Sequence, residues 1–504
     1  MRSSLLAIAA MTGLAAQPAH AASLREALVQ AYRGNPTLTG QRASQRATDE
    51  GVPLARAAGL PNLGSTGQYS EFLLRQRGSS IKRLAAADVT LNVPIYSGGA
   101  VKNGVRAADA RVEQGQAVLR STEANIFTQV VGAYLDVIRD TAIVELNRGN
   151  VRVLETNLQA SNDRFEVGDL TRTDVAQSDA RLAIARSQLQ SALAQLDSSR
   201  ENYLRLVGAA PDALEPPPPL PQFPATPDDA VDVALENNPD LVAAKRASRA
   251  ADYDIRVAQA ERLPTLSAFG TADYTNFLGS LQGGIAIDPG TGLPIPAAAS
   301  QTQKTATVGL RATLPLFQGG RPGALVRQAQ ARKSQTLEQI TATERSVIAD
   351  ARATYSLYVA AQEVIRSSQQ AVSANELALE GTRAENSVGT RNVLDVLNAE
   401  QELLNSRVQL VTARRDAYVA GFALLAAIGR AEARDLGLDG GVLYDPQVNY
   451  RRVRGSINDW AQDPKPQPVA PSTAGIPLPS QTLIQGPPAP AAQPLTTQST
   501  TPSN

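Results

Sequence analysis

The sequence has 504 residues, with 48 basic and 48 acidic side chains and only 4% aromatic residues. It has no cysteine, and its single histidine and both methionines lie between Met1 and Ala21. The rest of the chain therefore has no thiol nucleophile, no imidazole base, no usual zinc or copper ligands and no disulfide framework. Because balanced charge is typical of solvated helix faces, we predict no enzyme activity, no metal, no cofactor and no nucleic-acid partner.

Residues 1–21 have the features of a secretory signal peptide. Arg2 provides the positive charge, Leu5–Ala16 is an apolar stretch too short to span a bilayer, and Ala19–Ala21 has the small residues of a cleavage site. The alternative is an N-terminal membrane anchor. After this segment no apolar run reaches the ~18 residues of a transmembrane helix. If the chain enters a membrane, the sequence predicts that it does so as a β-barrel.

The two halves of the chain repeat the same order of elements. The segment LNVPIYSGG (Leu91–Gly99) returns as ATLPLFQGG (Ala312–Gly320). We place the first repeat at residues 22–208 and the second at residues 227–429. Each repeat begins with short helices, continues with alternating strands and ends with a long helical hairpin.

The strands are recognised by the alternation of apolar and polar residues. Val89, Leu91 and Val93 alternate with polar neighbours in the first repeat, as do Val308 and Leu310 in the second. One apolar and one polar face over ~10 residues is typical of a transmembrane strand between lipid and water. A soluble hairpin with one packed face is the alternative. The predicted strands are residues 62–74, 87–97, 265–277 and 306–317.

The second repeat is longer than the first between its two strands. The extra residues fall in the segment LQGGIAIDPGTGLPIPAAAS (Leu281–Ser300), which is rich in glycine and proline. This composition predicts a loop. Because an insertion is tolerated there, we expect the loop to lie at a hairpin tip that faces solvent.

Each strand pair is predicted to end at a proline that is followed by a glycine pair. Proline has no N–H for a sheet ladder and is tolerated where a strand ends. Two successive glycines allow the backbone to turn from strand into helix. The predicted junctions between sheet and helices are Pro94, Gly98, Gly99, Pro315, Gly319 and Gly320.

Long helical hairpins are predicted at residues 101–208 and 322–429. Apolar residues recur every three or four positions after Val101, and no proline occurs before Val167. The first arm should therefore extend over ~65 residues, or ~95 Å. The return arms repeat apolar residues every seven positions, which on its own also fits an ordinary coiled coil.

The four predicted strands cannot close a barrel by themselves. An open sheet in hydrocarbon leaves unpaired backbone groups at both edges, at a cost of several kcal/mol for each group. Two copies of the chain would give 8 strands and a filled interior, whereas three copies would give 12 strands and an aqueous lumen. We therefore predict a mixed fold formed by a homotrimer, with a 12-stranded membrane β-barrel joined to an α-helical barrel of twelve long helices.

The repeated plan of strands and helices, the two P-[IL]-[YF]-x-G-G junctions and the two helix turns resemble the TolC family of outer-membrane export channels. The resemblance covers the chain from Leu24 to about Trp460. It implies a trimer whose barrel lies in outer-membrane lipid and whose tunnel crosses the periplasm. It also implies that the linker at 209–226 and the segment at 430–460 wrap the tunnel as an equatorial belt. Residues 461–504 are rich in proline and are predicted to be disordered.

The resemblance places the periplasmic entrance of the tunnel at the two helix turns, Arg164–Gln177 and Ser387–Glu400. It implies that the Val-Gly pairs of both turns meet an adaptor protein. It further implies that an acidic ring narrows the pore, and that an arginine tied to a Thr-Asp pair on a neighbouring hairpin holds the entrance shut. The matching residues are Val167, Gly168, Val388 and Gly389 for docking, Asp395 and Asn398 for the ring, Arg391 for the latch, and Thr173 and Asp174 for its partners.

One of these positions departs from the family. Asn398 stands where a second acid is frequent, so the ring of a trimer would carry three carboxylates rather than six and block by cations should be weaker. The structural alternative for Asp174 and Asp395 is that a carboxylate stabilises the positive N-terminal end of a helix.

The chain ending Ala433–Trp460 resembles that of the type I secretion members of the family. We therefore predict an outer-membrane exit duct for secreted protein cargo, joined to a periplasmic membrane-fusion adaptor and an inner-membrane ABC transporter. The first alternative is a duct for small molecules that works with a proton-driven efflux pump. The second is a periplasmic coiled-coil spacer or adhesin without a pore.

Overall fold

The computed structural model describes residues 22–74, 81–211, 213–438 and 443–476, so the predicted signal peptide lies outside the described residues. These residues form ten helices and six strands. The helices are α1 (Leu24–Gly34), α2 (Pro36–Asp49), α3 (Gly51–Ala57), α4 (Ala100–Glu166), α5 (Arg172–Val207), α6 (Pro227–Asn237), α7 (Pro239–Ala260), α8 (Arg321–Ser387), α9 (Val393–Ala427) and α10 (Gln447–Val453). The strands are β1 (Asn62–Glu71), β2 (Arg83–Ser97), β3 (Thr265–Asn276), β4 (Gly284–Ile287), β5 (Pro294–Ala297) and β6 (Thr302–Thr313).

Both repeats begin with the same helix–Asn-Pro–helix arrangement. Asn35 ends α1 and its side chain accepts hydrogen bonds from the first turn of α2, where Pro36 occupies the first position. Asn238 does the same between α6 and α7. The side-chain amide of Asn35 also donates to the carbonyl of Leu206 at 2.9 Å. These asparagines therefore fix the entry helices to the ends of the helical hairpins.

Four strands form one antiparallel sheet in the order β1-β2-β3-β6. Their limits differ from the predicted ones: β1 ends at Glu71, β2 already begins at Arg83, and β6 covers Thr302–Thr313 rather than residues 306–317. The ladder explains the last difference, because Thr313 pairs with Thr265, the first residue of β3. The alternation of apolar and polar residues continues in the sequence beyond Thr313, the last residue of β6 that has a ladder partner, so it predicts a later end of the strand.

The inserted segment of the second repeat is not a simple loop. Strands β4 and β5 form a separate two-stranded antiparallel hairpin in which Ile285 pairs with Pro296 and Ile287 with Pro294. The glycine and proline content that predicted a loop reflects the turn and the edge of this hairpin. Proline is acceptable there because a nitrogen on the outer edge of a strand needs no ladder partner.

The helical hairpins are very long. Helices α4 and α8 each contain 67 residues, and the return helices α5 and α9 contain 36 and 35. At 1.5 Å per residue, α4 is about 100 Å long. The main apolar core includes the place where the C-terminal ends of α5 and α9 pack near the middle of α4, and there Phe127, Tyr134, Tyr203 and Leu424 are almost completely buried. No helix in the described part of the chain is both long and apolar enough to cross a membrane.

The linker between the repeats is held by tyrosine hydroxyl groups of the long helices. Tyr134 donates within 3.0 Å of the carbonyl oxygens of Ala22 and Glu215. Tyr418 donates to the carbonyl of Pro218 at 3.0 Å. The proline-rich linker is therefore a strap on the surface of the helical hairpins.

The tail beyond residue 460 is partly placed. Residues 461–476 contain no helix or strand, but Asp463 forms an ion pair with Arg452 at 2.8 Å and Pro471 lies beside Gly34. The expectation of disorder from residue 461 onwards is therefore wrong for this stretch. Residues 477–504, the remainder of the predicted disordered tail, lie outside the described residues.

Candidate functional site

The four-stranded sheet has one apolar face and one polar face. Because successive residues of a strand alternate between the faces, the observed register assigns each residue to one of them. The apolar face carries Val89, Leu91 and Val93 of β2, Ala268 and Ala272 of β3, and Val308 and Leu310 of β6. The polar face carries Thr90 and Asn92 of β2, Ser267 and Thr271 of β3, and Thr305 and Thr307 of β6. Such a sheet is suited to separate an apolar phase from water.

Two glycine pairs connect the sheet to the long helices. Gly99 and Gly320 precede α4 and α8 with φ of 84° and 81°, and Gly98 and Gly319 have φ of 61° and 59°. A side chain at Gly98 would also lie 2.8 Å from the carbonyl oxygen of Ala260. These left-handed conformations, which suit glycine, turn each chain sharply from strand into helix.

The prolines of the two junctions differ from the prediction. Pro315 follows the last residue of β6, but Pro94 lies inside β2, opposite Ser267. The prediction that Pro94 ends its strand is therefore wrong. The register shifts between Pro94 and Tyr96, and such a bulge accommodates a residue that has no N–H for the ladder.

The opposite ends of the helical hairpins are exposed turns. Val167 and Val388 are 80% and 75% exposed, and Gly168 and Gly389 follow them with φ of 83° and 79°. A methyl group built on either glycine would meet no atom within 4 Å. Among the described residues, nothing packs on the two Val-Gly pairs, which are therefore open surfaces.

In the first turn, Asp174 caps the helix that follows. Its carboxylate accepts hydrogen bonds from the hydroxyl and the backbone N–H of Thr171 at 2.7 and 2.9 Å. These two bonds hold the pKa of Asp174 below its ordinary value. Thr173 is exposed beside it. This capping box is the structural role that the sequence left open for Asp174.

In the second turn, Arg391 pairs with acids of its own hairpin. Its guanidinium lies 2.8 Å from Glu385 and 3.7 Å from Asp395. Within the described part of a single chain, these are the ion pairs of Arg391, and the structure does not bring it to Thr173 or Asp174. A latch between these residues therefore requires a neighbouring copy.

Contacts between the two hairpins that the sequence analysis did not identify lie close to these turns. Arg181 of α5 donates to the side-chain oxygen of Asn398 on α9 at 2.7 Å. Glu400, only 7% exposed, accepts hydrogen bonds from Asn157 of α4 and Arg383 of α8, each at 3.0 Å. The only available signal was a charged residue on the apolar stripe of α9, which does not reveal its partners.

A buried carboxylate, that of Glu123, lies on α4 beneath the segment that follows α9. Glu123 accepts the backbone N–H of Ala433 at 2.6 Å, and Arg120 of the same helix pairs with Glu432 at 2.6 Å. Burial, together with the nearby charge of Glu432, raises the pKa of Glu123 to about 7. The segment that follows α9 is thus attached to α4 through ionisable groups.

A sheet with one apolar face, repeated in sequence and continued by very long helical hairpins, defines an outer-membrane transport protein that extends into the periplasm. The chain belongs to the outer membrane efflux protein family, whose model matches residues 27–209 and 230–430. The predicted membership of the TolC family and the predicted location in the outer membrane are confirmed.

Relatives with different printed roles share this plan. The outer membrane efflux protein BepC of Brucella suis is 31% identical, over 88% of this chain and 93% of BepC. The alkaline protease secretion protein AprF of Pseudomonas aeruginosa is 27% identical, over 63% of this chain and 64% of AprF. The crystal structure of the outer membrane protein VceC from Vibrio cholerae has the same fold, with a TM-score of 0.67 and 23% identity over 81% of this chain and 96% of VceC. Both efflux and secretion therefore occur among the relatives.

Proposed function

We propose that three copies of this chain form the outer-membrane exit duct of a type I secretion system. Each copy contributes four strands to a 12-stranded barrel and four long helices to a tunnel of twelve. The polar face of the sheet lines the lumen and the apolar face contacts lipid. Protein cargo passes through the duct while a periplasmic adaptor joins the tunnel to an inner-membrane ABC transporter.

The observation that carries this proposal is the open sheet. Strands β1 and β6 are its two edges, and in the part of the chain that the structure describes each has a partner on one side only. The outer backbone groups of these strands would lie in hydrocarbon without hydrogen bonds, at several kcal/mol per group. Pairing β6 of one copy with β1 of the next satisfies both edges, and three copies give the smallest such ring with an aqueous interior.

The long helices support the same assembly. Helices α4 and α8 have equal lengths, but α4 has 21 buried residues and α8 has 5. Leu357 and Leu377 on α8 are 62% and 71% exposed. One side of α8 therefore has no partner among the described residues of a single copy, and the helices of the next copy would cover it.

The proposed entrance lies at the exposed turns. Val167, Gly168, Val388 and Gly389 form the open surface on which the tips of an adaptor dock. Three copies would bring Asp395 and Asn398 together around the pore and place Arg391 beside Thr173 and Asp174 of the neighbouring copy. The exposure of the Val-Gly pairs supports the docking surface, and the half-exposed side chain of Arg391 leaves it accessible to a neighbouring copy.

Secretion of a protein is preferred to efflux because of the C-terminal segment. Residues 433–460 resemble the ending of secretion members, and the relative AprF is a protease secretion protein. Here the segment packs on α4 through Ala433 and Glu432. The second candidate is efflux of small molecules with a proton-driven pump, which the 31% identity to the efflux protein BepC supports.

Deletion of the gene tests the choice between these two functions. If the chain serves type I secretion, a protein cargo accumulates inside the deletion strain and the export of small toxic compounds is unchanged. Loss of resistance to such compounds with normal protein secretion would favour efflux instead. Crosslinking followed by purification should recover an ABC transporter in the first case and a proton-driven pump in the second.

The assembly itself is tested separately. The protein should require detergent for extraction, migrate as a trimer and conduct ions in planar bilayers. A water-soluble monomer without conductance would contradict the duct and favour the periplasmic spacer.

A further inference from the structure

The polar face of the four-stranded sheet carries charge at only three of its paired positions. Asp88 of β2 lies directly opposite Asp273 of β3. Arg311 of β6 lies opposite Ser267, nearer to the long helices. The other residues on this face are uncharged. Asp273 lies opposite Thr305 of β6, and Arg311 is six positions further along the same strand. The aspartate pair and the arginine are therefore about 20 Å apart along the strand.

The guanidinium of Arg311 is held over an aromatic ring. It lies 4.9 Å from the ring centre of Phe269, the aromatic residue of this face. Gly309 faces Phe269 across the strand pair, and a side chain on it would come within 2.9 Å of two ring carbons. The ring thus lies across the space that glycine leaves free, which brings it towards Arg311. Phe269 positions the guanidinium through a cation–π contact.

The N–H groups of this guanidinium are available to bind a further acceptor. Arg311 is exposed and forms no ion pair within the described residues. Stacking uses the flat face of a guanidinium, whereas its N–H groups point outward in the plane. A planar fork of donors held in this way is suited to bind a carboxylate through two parallel hydrogen bonds.

We infer that Arg311, positioned by Phe269, is a contact site for carboxylate groups of the transported molecule. This inference rests on the proposed function, because the polar face lines a lumen only when three copies close the barrel. Three guanidinium groups then surround the lumen at the end next to the helical tunnel. Six carboxylates, from Asp88 and Asp273, lie about 20 Å nearer to the outer surface. Cargo that leaves the tunnel meets the arginines first.

A single cysteine provides a local test, because the chain has no cysteine of its own. Ser267→Cys places a thiol directly opposite Arg311 with almost no change in shape. In the full-length protein in liposomes, the thiol is reacted with a negatively charged and with a positively charged thiosulfonate reagent. The ratio of the two rates reports the electrostatic potential beside Arg311. It does not depend on whether the distant entrance is open.

Arg311→Gln in this background should lower the ratio of the anionic to the cationic rate by roughly three- to tenfold. Phe269→Leu, which keeps the charge but frees the guanidinium, should cause a smaller decrease. Lys304→Gln is the matched control, because it removes a positive charge from the same strand on the apolar face, opposite Tyr274. The inference would be overturned if Arg311→Gln left the ratio of the anionic to the cationic rate unchanged. It would also be overturned if Lys304→Gln lowered that ratio as much as Arg311→Gln does.

The same thiol separates this inference from the proposed duct. If the cysteine at position 267 did not react with either water-soluble reagent, or if Ala268→Cys on the apolar face reacted equally fast, the polar face would not line a lumen and the proposed function would fail. If the thiol at 267 reacts but does not respond to Arg311→Gln, the duct stands and the carboxylate site is refuted.

The class of ligand is tested by protection of this thiol. Oligo-glutamate should slow the reaction of the thiol with the cationic reagent several-fold. Arg311→Gln should abolish this protection by oligo-glutamate. Oligo-lysine of the same length should protect less. Equal protection by both peptides would contradict recognition of carboxylates.

Discussion

The side-chain amide of Asn157 donates to the carboxylate of Glu400 at 3.0 Å and thereby joins α4 of the first helical hairpin to α9 of the second. The two residues are 243 positions apart in the chain. Arg383 of α8 reaches the same carboxylate at 3.0 Å. Three of the four long helices of the chain thus meet at one buried acid close to the hairpin turns.

Asn157→Ala should destabilise the protein by about 1–2 kcal/mol, because the buried carboxylate of Glu400 loses one of its donors. Thermal unfolding of the purified protein in detergent, followed by circular dichroism, measures this loss. Gln159→Ala is the matched control. It removes an exposed amide of the same helix that donates to Asp163 at 2.9 Å, and should change stability by less than about 0.5 kcal/mol. If both variants lost the same free energy of unfolding, the hydrogen bond from Asn157 to Glu400 would contribute no more than an exposed one.

Gly421→Ala should cost about 1–3 kcal/mol, because overpacking must displace the linker strap. The added methyl group would lie 2.5 Å from Leu220 and 3.3 Å from Phe223. Gly381→Ala, in a helix with no atom within 4 Å of the new methyl group, should instead stabilise by up to about 1 kcal/mol. The two unfolding midpoints, measured side by side, should move in opposite directions; a shared direction would contradict the packing of the strap on α9.

Glu123→Gln should reduce the pH dependence of stability. Burial raises the pKa of Glu123 to about 7, so between pH ~4.5 and 7 the folded state binds more protons than the unfolded state. Stability from this group therefore falls as the pH rises through that range. The variant, which stays neutral, should exceed the wild type at pH 8 by about 1–3 kcal/mol and match it near pH 5.

Unfolding midpoints measured from pH 5 to 8 test this expectation. Asn125→Ala serves as the control, since it removes an exposed, uncharged side chain from the same helix and should leave the slope unchanged. A slope that is the same in wild type and Glu123→Gln would show that Glu123 does not titrate in this range.

Arg391→Ala should increase the conductance of the protein in planar bilayers several-fold if the proposed latch to the neighbouring copy closes the entrance. Arg164→Ala removes the corresponding intrahairpin ion pair of the first turn, Arg164 with Asp169 at 2.7 Å, and should have little effect. Unchanged conductance in the Arg391 variant would leave its role confined to the pairs with Glu385 and Asp395.

Asn398→Asp should strengthen block by a trivalent cation, but only modestly. Arg181 lies 2.7 Å from the side-chain oxygen of Asn398 and would neutralise part of the added charge. Combining Asn398→Asp with Arg181→Gln should lower the half-blocking concentration by roughly three- to tenfold relative to Asn398→Asp alone. Bilayer currents measured against cation concentration decide this, with Arg181→Gln as the single control. If Asn398→Asp blocked equally with and without Arg181→Gln, Arg181 would not neutralise the added carboxylate.

The junction glycines and the turn glycines are predictable from the sequence because a left-handed residue has a strong local signature. Gly99, Gly168, Gly320 and Gly389 all have positive φ, as a sharp turn beside a long helix requires. The place of Pro94 inside β2 is not predictable in this way, because the bulge depends on the register against β3. Strands β4 and β5 are not predictable either, because each has only four residues and their pairing is not visible in composition.

By itself the sequence determined the duplicated plan, the long helices and the two faces of the sheet, because periodicity and backbone preference act between residues that are close in the chain. Only the tertiary structure decided which distant side chains meet. The pairing of Glu400 with Asn157, the strap under Tyr418 and the stacking of Arg311 on Phe269 join separate elements. Such contacts depend on helix rotation and strand register, which packing of the whole chain fixes and no local pattern records.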